Sequence, residues 1–283
     1  MMNRPHRVVV LAAAAMLLAI GQAWAVDVAP HRALYTMTLS SARPKGGVVG
    51  ATGTLAYKWG ETCDGWTIEQ RYKLNMEYED DKPIEITSNF VTWESKDGLR
   101  YRFNERKTRN GDVEDEIRGD AMLGAGGKGG TADFVKPKQT QLELPPGTLF
   151  PTAHTLMLIN KAEAGETFIG AKVFDGASAD GAVTISAVIG QALPQPTPIA
   201  TGPNPTSPAP EATPELKSPL LDRKSWNIRM AFFPDDDKAQ EPDYELGMRL
   251  LDNGVSAEMS LDYGDFAMKA KLKELEALPK PTC

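Results

Sequence analysis

From Tyr35 onward the chain alternates apolar and polar positions over short runs. Tyr35, Met37 and Leu39 alternate with Thr36, Thr38 and Ser40, and Val49, Ala51, Gly53, Leu55, Tyr57 and Trp59 form the next two-residue face. Trp66, Ile68, Tyr72, Leu74 and Met76 continue the pattern, with Gln70 as a polar interruption; Ile84, Ile86 and Phe90, then Leu99, Tyr101 and Phe103, follow. Further strand-like runs lie at 167–174, 183–189, 226–232, 244–251, 255–263 and 266–272. A period of two is that of a strand with one face buried. Asp97-Gly98, Asn110-Gly111 and Asn253-Gly254 are the residue pairs that tight hairpins favour. Together these features predict an all-β fold built on an antiparallel sheet, with strands numerous enough that the sheet must curl or close into a barrel to hide its edges.

One segment departs from the alternation. Residues 152–162 read as a helix, with Pro151 ahead of it, Thr152 as its cap and Leu156, Met157 and Ile159 as its apolar side. Beside a curved sheet such a helix either plugs an open end or lines a groove, or it packs on the sheet's back; both placements stay open. The tail 271–278 has leucines at 272, 275 and 278, which suits a short helix or the end of the last strand. The glycine-rich run 124–130 lacks the Gly-Lys-Ser/Thr ending and the strand-to-helix context of a phosphate cradle, and reads as a hairpin connection. Residues 193–219 are rich in Pro, Thr, Ser and Ala and cannot form a core. They read as an extended or disordered insertion, because strands on both sides are needed to complete one domain over 26–283.

The first residues change the picture from fold to address. Arg4 and Arg7 precede an apolar run over 8–20, and Gly21 and Gln22 lead into Ala23-Trp24-Ala25. The run is too short to cross a bilayer core of about 30 Å as a helix. The small-x-small triplet is what a signal peptidase cuts after, here after Ala25. The pattern predicts a cleaved leader over 1–25 and a protein that works outside the cytoplasm without spanning a membrane. No Cys stands at the cleavage point to carry a lipid anchor. The whole chain has 31 Lys and Arg, two of them in the leader, against 38 Asp and Glu, so the remainder carries a net charge of 31 − 2 − 38 = −9. An acidic surface argues against nucleic acid as a partner.

Candidate chemistry is sparse. Cys63 and Cys283 are the two cysteines. In an exported chain a single disulfide is the leading reading of such a pair, ahead of two free thiols or an intermolecular bond. Redox catalysis would call for a Cys-x-x-Cys spacing, which is absent. No His/Cys spacing suits a metal, and no cofactor is expected. After the leader, His31 and His154 are the histidines. His31 lies where a terminus tends to be mobile, and His154 sits in the first turn of the expected helix, which disfavours a protonated ring. No nucleophile elbow or zinc-protease motif is present, so no catalytic residue is assigned. Glu79-Asp80-Asp81 reads as a solvated turn, and Asp235-Asp236-Asp237 as an acidic loop without the spacing of a calcium site.

Several short motifs, in order, carry a resemblance. They are Ala29-Pro-His-Arg-Ala-Leu-Tyr35, Gly53-Thr-Leu-Ala-Tyr57, Cys63-Asp-Gly-Trp66, Phe150-Pro-Thr-Ala-His-Thr155 and Phe174-Asp-Gly176, with a terminal Cys. The chain thereby resembles the EipB family of periplasmic cell-envelope integrity proteins from alphaproteobacteria. The resemblance implies a spiral-like antiparallel sheet wrapped into a barrel, a periplasmic location, a role in envelope integrity under stress, and a disulfide joining the two positions that Cys63 and Cys283 match. It brings no catalytic residues. The Pro-rich insertion departs from the family's pattern.

Two functions of different class follow. One is a non-enzymatic envelope protein that binds a lipid, a lipoprotein segment or a partner protein in a groove of the curved sheet, with Trp59, Trp66 and Trp93 as candidate lining or plain core. The alternative is a hydrolase of envelope polymers working through a carboxylate pair.

Overall fold

The computed structural model describes residues 26–193, 216–234 and 240–283. The expected leader with its cleavage after Ala25, most of the Pro-rich stretch and the Asp235-Asp236-Asp237 triplet lie outside the described residues. Fifteen strands are described: β1 (His31–Ala42), β2 (Val48–Glu61), β3 (Gly65–Tyr78), β4 (Ile84–Ser95), β5 (Arg100–Arg109), β6 (Asp112–Leu123), β7 (Gly130–Lys136), β8 (Thr140–Leu144), β9 (Thr148–Leu149), β10 (Phe168–Val173), β11 (Val183–Leu193), β12 (Ser225–Phe233), β13 (Tyr244–Leu251), β14 (Ser256–Asp262) and β15 (Phe266–Ala277). One α-helix, α1 (Pro151–Glu163), separates β9 from β10.

All fifteen strands belong to one sheet in the order β8-β7-β6-β5-β4-β3-β2-β1-β15-β14-β13-β12-β11-β10-β9. The first strand pairs with the last, Met37 opposite Ala270, so two meanders spread from a β1–β15 seam. The far edges of those meanders, β8 and β9, are consecutive in sequence. Only residues 145–147 join them, a span of about 14 Å at full extension. The two edges must therefore approach each other, and the sheet wraps into a nearly closed barrel. Leu144 of β8 accordingly packs in one group with Phe150, Phe174 and Ala182 from beyond the other edge. Neighbours are antiparallel except β9 and β10, which run parallel. A parallel pair needs a crossover connection, and α1 supplies it.

Register places His31, Ala33, Tyr35 and Met37 on the inner face. The expectation of a mobile His31 is corrected: its ring is fully buried beside Tyr57 and Trp59, with Nδ1 2.8 Å from the Ala29 carbonyl. The tail resolves as strand, since Leu272 and Leu275 face Tyr35 and Ala33 across the seam. At the β5–β6 hairpin Asn110 and Gly111 both have positive φ, as that two-residue turn requires. The Pro-rich stretch joins β11 to β12, which are paired neighbours. Near its described end Leu216, and Leu221 just beyond the stretch, lie against the inner group around Tyr35.

An aromatic group holds the closure near β8. Tyr101 stacks on Phe150 at 4.9 Å, and Phe103 meets Phe134 and Phe174 at 5.3 and 5.5 Å. Gly176 lets the chain pass over it. Its φ is +71°, and a Cβ there would stand 2.4 Å from Phe103 Cγ. Gly176→Ala combines a left-handed backbone penalty with overpacking, so it is expected to cost at least about 2 kcal/mol. Urea unfolding of the variant checks this; a change under half that size would mean the loop moves off the ring at little cost.

Candidate functional site

The interior of the wrapped sheet has two unlike ends. At one end β2, β4, β11 and β13 finish and β3, β5, β10 and β12 begin, and α1 lies across it. Leu156 packs with Trp59, Trp66 and Val28, while Leu158, Ile159 and Ala162 pack with Ile169, Ile189, Trp226 and Leu250 on the opposite wall. The helix therefore stoppers this end rather than covering the sheet's back. The segment before β1 and the turn at Pro219–Leu221 add to the seal, through Ala29 N–H to the Asn253 carbonyl and Asn253 Nδ2 to the Leu220 carbonyl.

The helix cap differs from expectation. Thr152 is not the cap; Phe150 occupies that position and offers no side-chain bond. The cap comes from across the barrel. Glu94, near the end of β4, is 2 % exposed and accepts hydrogen bonds from the backbone N–H groups of Thr152 (2.7 Å) and Ala153 (2.8 Å). A carboxylate suits a helix N-terminus. Burial nevertheless outweighs the two N–H bonds and pushes the Glu94 carboxyl up to about 7. His154 points into the same packed end. Burial pushes its imidazole down to about 4, and its Nε2 has no partner among the described residues. A ring held neutral by burial in a packed interior fits a packing role.

The cysteines meet at this end too. Cys63 lies in the β2–β3 turn, and its Sγ is at disulfide distance from that of Cys283, with the two Cα atoms 5.7 Å apart. The tail leading to Cys283 is held by Leu278 N–H to the Pro30 carbonyl and by a Lys280–Asp27 pair.

The candidate tryptophans divide. Trp59 and Trp66 are buried beneath α1 and serve as core at the stoppered end. Trp93 is on the outer face, opposite Thr67 and Arg102 by register, and the guanidinium groups of Arg100 and Arg102 lie over its ring at 5.4 and 5.3 Å. None of the three lines an open interior.

The other end has a different lining. By register Leu55, Leu246, Met248, Met259 and Leu261 point inward, yet each is only half-buried, although most sit in mid-strand. Their outward neighbours are polar or small. An inward residue that keeps exposure in mid-strand is not fully covered by the side chains of the described residues. Phe232, Tyr244, Tyr263 and Phe266 form an aromatic row on the same side, with ring centres 4.2, 6.0 and 5.1 Å apart in turn.

Facing that row is a polar patch on β3, β4 and β5. It comprises Tyr72, Ser88, Glu105 and Lys107, joined by Asp175 from beyond β10. Ser88 donates to Glu105 at 2.8 Å, and Lys107 Nζ stands 3.6 Å from the same carboxylate. Burial raises the carboxyls of Glu105 and Asp175 above the ordinary range and the Tyr72 hydroxyl to about 12. Tyr72 also feels Tyr263, and Tyr244 feels Asp175. Strands β3 and β14 are separated by β2, β1 and β15 in the sheet, and its wrapping brings Tyr72 and Tyr263 within electrostatic reach of each other. Alternation cannot reveal this patch, because Glu105 and Lys107 read as outward charges on a polar strand. Of the acidic runs singled out from sequence, Glu79-Asp80-Asp81 is the exposed β3–β4 turn.

Comparison with known proteins agrees with this architecture. The model of the EipB-like family matches residues 22–279. The cell envelope integrity protein EipB of Brucella abortus (strain 2308) is 33 % identical over 268 residues, covering 91 % of this chain and 87 % of that protein. The crystal structure of a beta-barrel-like protein of domain of unknown function DUF1849 from Brucella abortus superposes with a TM-score of 0.79 at 32 % identity, covering 90 % of this chain and all of that one.

Proposed function

This chain belongs to the EipB-like family, and on that premise we propose that it is a periplasmic protein that maintains cell-envelope integrity without catalysing a reaction. It does so by taking the apolar chain of an envelope lipid or lipoprotein into the interior of its wrapped sheet. The observation that carries this reading is the set of inward-facing, half-buried residues Leu55, Leu246, Met248, Met259 and Leu261 at the end away from α1. An apolar lining with a few convergent polar groups is the usual form of a small-molecule site. The relative's name as an envelope integrity protein and the expected leader at 1–25 support the role and the address. No helix of the described residues is long and apolar enough to cross a membrane.

Burying a twelve-carbon chain gains about 0.8 kcal/mol per methylene before the costs of association are met, which is ample for micromolar binding. Titration with a fluorescent fatty acid is expected to show saturable uptake at one chain per protein. Met259→Glu places a charge in mid-interior and is expected to weaken uptake by about tenfold or more, with the melting midpoint close to that of the parent. Absence of uptake, or uptake unchanged in the variant, contradicts the reading.

A further inference from the structure

The inner lining holds methionine, whose thioether is a reactive group as well as apolar bulk. The methionines of the described residues fall into three environments. Met37, Met76, Met230 and Met268 are buried. Met122 is on the outer face, opposite Arg100 and Thr131, and is 62 % exposed. Met157, half-buried on α1, belongs to the stoppered end. Met248 and Met259 form a pair. They stand directly opposite each other across β13 and β14, on the inner face, and both are half-buried. Directly opposed strand residues bring their Cβ atoms to about 5 Å. The two thioethers therefore share one stretch of the lining that the described residues do not fully cover.

A polar donor already points at one of these sulfurs. Ser256 Oγ donates to Met248 Sδ at 3.7 Å, and Ser256 is itself fixed by the Tyr35 hydroxyl, which donates to its carbonyl at 2.7 Å. A thioether is a weak acceptor, whereas oxidation makes the side chain polar and gives it a sulfoxide oxygen. The same hydroxyl can receive that oxygen, which offsets the cost of a polar group on the inner face. Met76 supplies the contrast. Its Sδ also accepts from a hydroxyl, that of Tyr78 at 3.7 Å, but its side chain is buried, so an oxidant has no approach to it. The chemistry balances with a peroxide as the oxidant. A sulfur lone pair attacks one oxygen of hydrogen peroxide, the O–O bond breaks and an S–O bond forms. Sulfur loses two electrons, and the departing hydroxide takes the proton of the transferred hydroxyl and leaves as water.

Building on the interior-uptake reading above, we propose that Met248 and Met259 are an oxidation site, and that their conversion to sulfoxide by a peroxide closes the interior to apolar chains. Sulfoxides turn that stretch of the wall from apolar to polar, so an apolar chain laid against it leaves polar groups poorly paired. Dilute hydrogen peroxide on the folded protein tests this, followed by peptide mapping and by titration with the fluorescent fatty acid. Sulfoxide is expected at Met248 and Met259 as well as at Met122, with Met37, Met76, Met230 and Met268 unmodified. Uptake is expected to weaken about tenfold on oxidation. Each variant is compared with its own untreated form. Met122→Leu is expected to lose uptake on oxidation as the parent does, whereas Met248→Leu/Met259→Leu is expected to hold its own within about twofold. Unmodified Met248 and Met259 beside fully oxidised Met122 overturns the site. Oxidation of the pair with unchanged uptake, or an equal loss in the double variant, overturns the switch and leaves interior uptake standing. Absence of uptake in the untreated parent overturns the uptake reading and the switch with it, while the peptide map still decides the oxidation site. The map and the two titrations of the parent decide the matter even if the double variant does not fold.

Discussion

Replacing Cys63 or Cys283 by serine is expected to lower the unfolding free energy by up to about 5 kcal/mol, and by the same amount for either residue. The two cysteines stand 220 residues apart in sequence. A cross-link that closes so long a loop removes a large share of the unfolded chain's freedom, and the chain-entropy model puts the gain for this length on the order of 5 kcal/mol as an upper figure. The cross-link would also have local work. Residues 278–283 hold β15's end and the segment before β1 through the Leu278–Pro30 and Lys280–Asp27 contacts. That segment brings Val28 onto Trp59 and Trp66. Without the cross-link the tail frays and the stoppered end loosens. Non-reducing peptide mapping is expected to recover Cys63 joined to Cys283, and the two variants to unfold at the same denaturant concentration. Two alkylatable thiols in envelope extract, or a markedly unequal loss, would show that the residues are not partners.

Glu94→Ala is expected to cost about 3–5 kcal/mol. The substitution strips the acceptors from the buried N–H groups of Thr152 and Ala153, each worth roughly 1–3 kcal/mol when left unpaired. It also frees the first turn of the helix that closes the barrel. A pH signature separates this role from bulk packing. The Glu94 carboxyl titrates near 7 in the folded protein, against an ordinary value of 4.5. The folded state therefore holds the extra proton between those values. Its contribution is full below about pH 4.5 and is lost as pH rises through 7, a decline of about 3 kcal/mol from this one group. Glu94→Gln cannot titrate and lacks that decline. Its deficit relative to the parent is expected to shrink by about 3 kcal/mol between pH 4.5 and 8, read from urea unfolding at several pH values. A deficit constant across the window contradicts the assignment. His154 has the opposite sign: its lowered pKa means that acidification from 6.5 to about 4 weakens the fold. Comparison with Glu94→Gln at each pH cancels that contribution, since both proteins keep His154.

Much of the barrel is legible in the alternation. The runs at Tyr35, Leu55, Tyr72 and Met268 carry strong apolar faces, and their strands lie where the pattern puts them. Strands β6 to β9 are not marked by it. Their inner positions include Gly119, Ala121 and Ala132; at Gly119 a Cβ would stand 2.4 Å from the Asp133 carbonyl and 2.6 Å from the Phe103 ring. Small inner residues leave little hydrophobic contrast for a periodic reading to detect. The helix at 151–163 is visible in sequence, but its cap is not. Glu94 lies 58 residues upstream of Thr152, and no local motif links the two. The polar patch is hidden for the same reason. Tyr72, Glu105, Asp175 and Tyr263 converge only when the β8 and β9 edges come together. The tryptophans draw attention as large aromatics, yet the aromatic row of the open end consists of Phe232, Tyr244, Tyr263 and Phe266, and its order follows from register across β12–β15.

Uptake of an apolar chain by the interior is tested most directly by native mass spectrometry of the protein released gently from its native cells. The account predicts a population heavier than the bare chain by the mass of one acyl-bearing molecule, lost on mild activation and absent from Met259→Glu. Recovery of only the empty protein, across a range of gentle conditions, would contradict it.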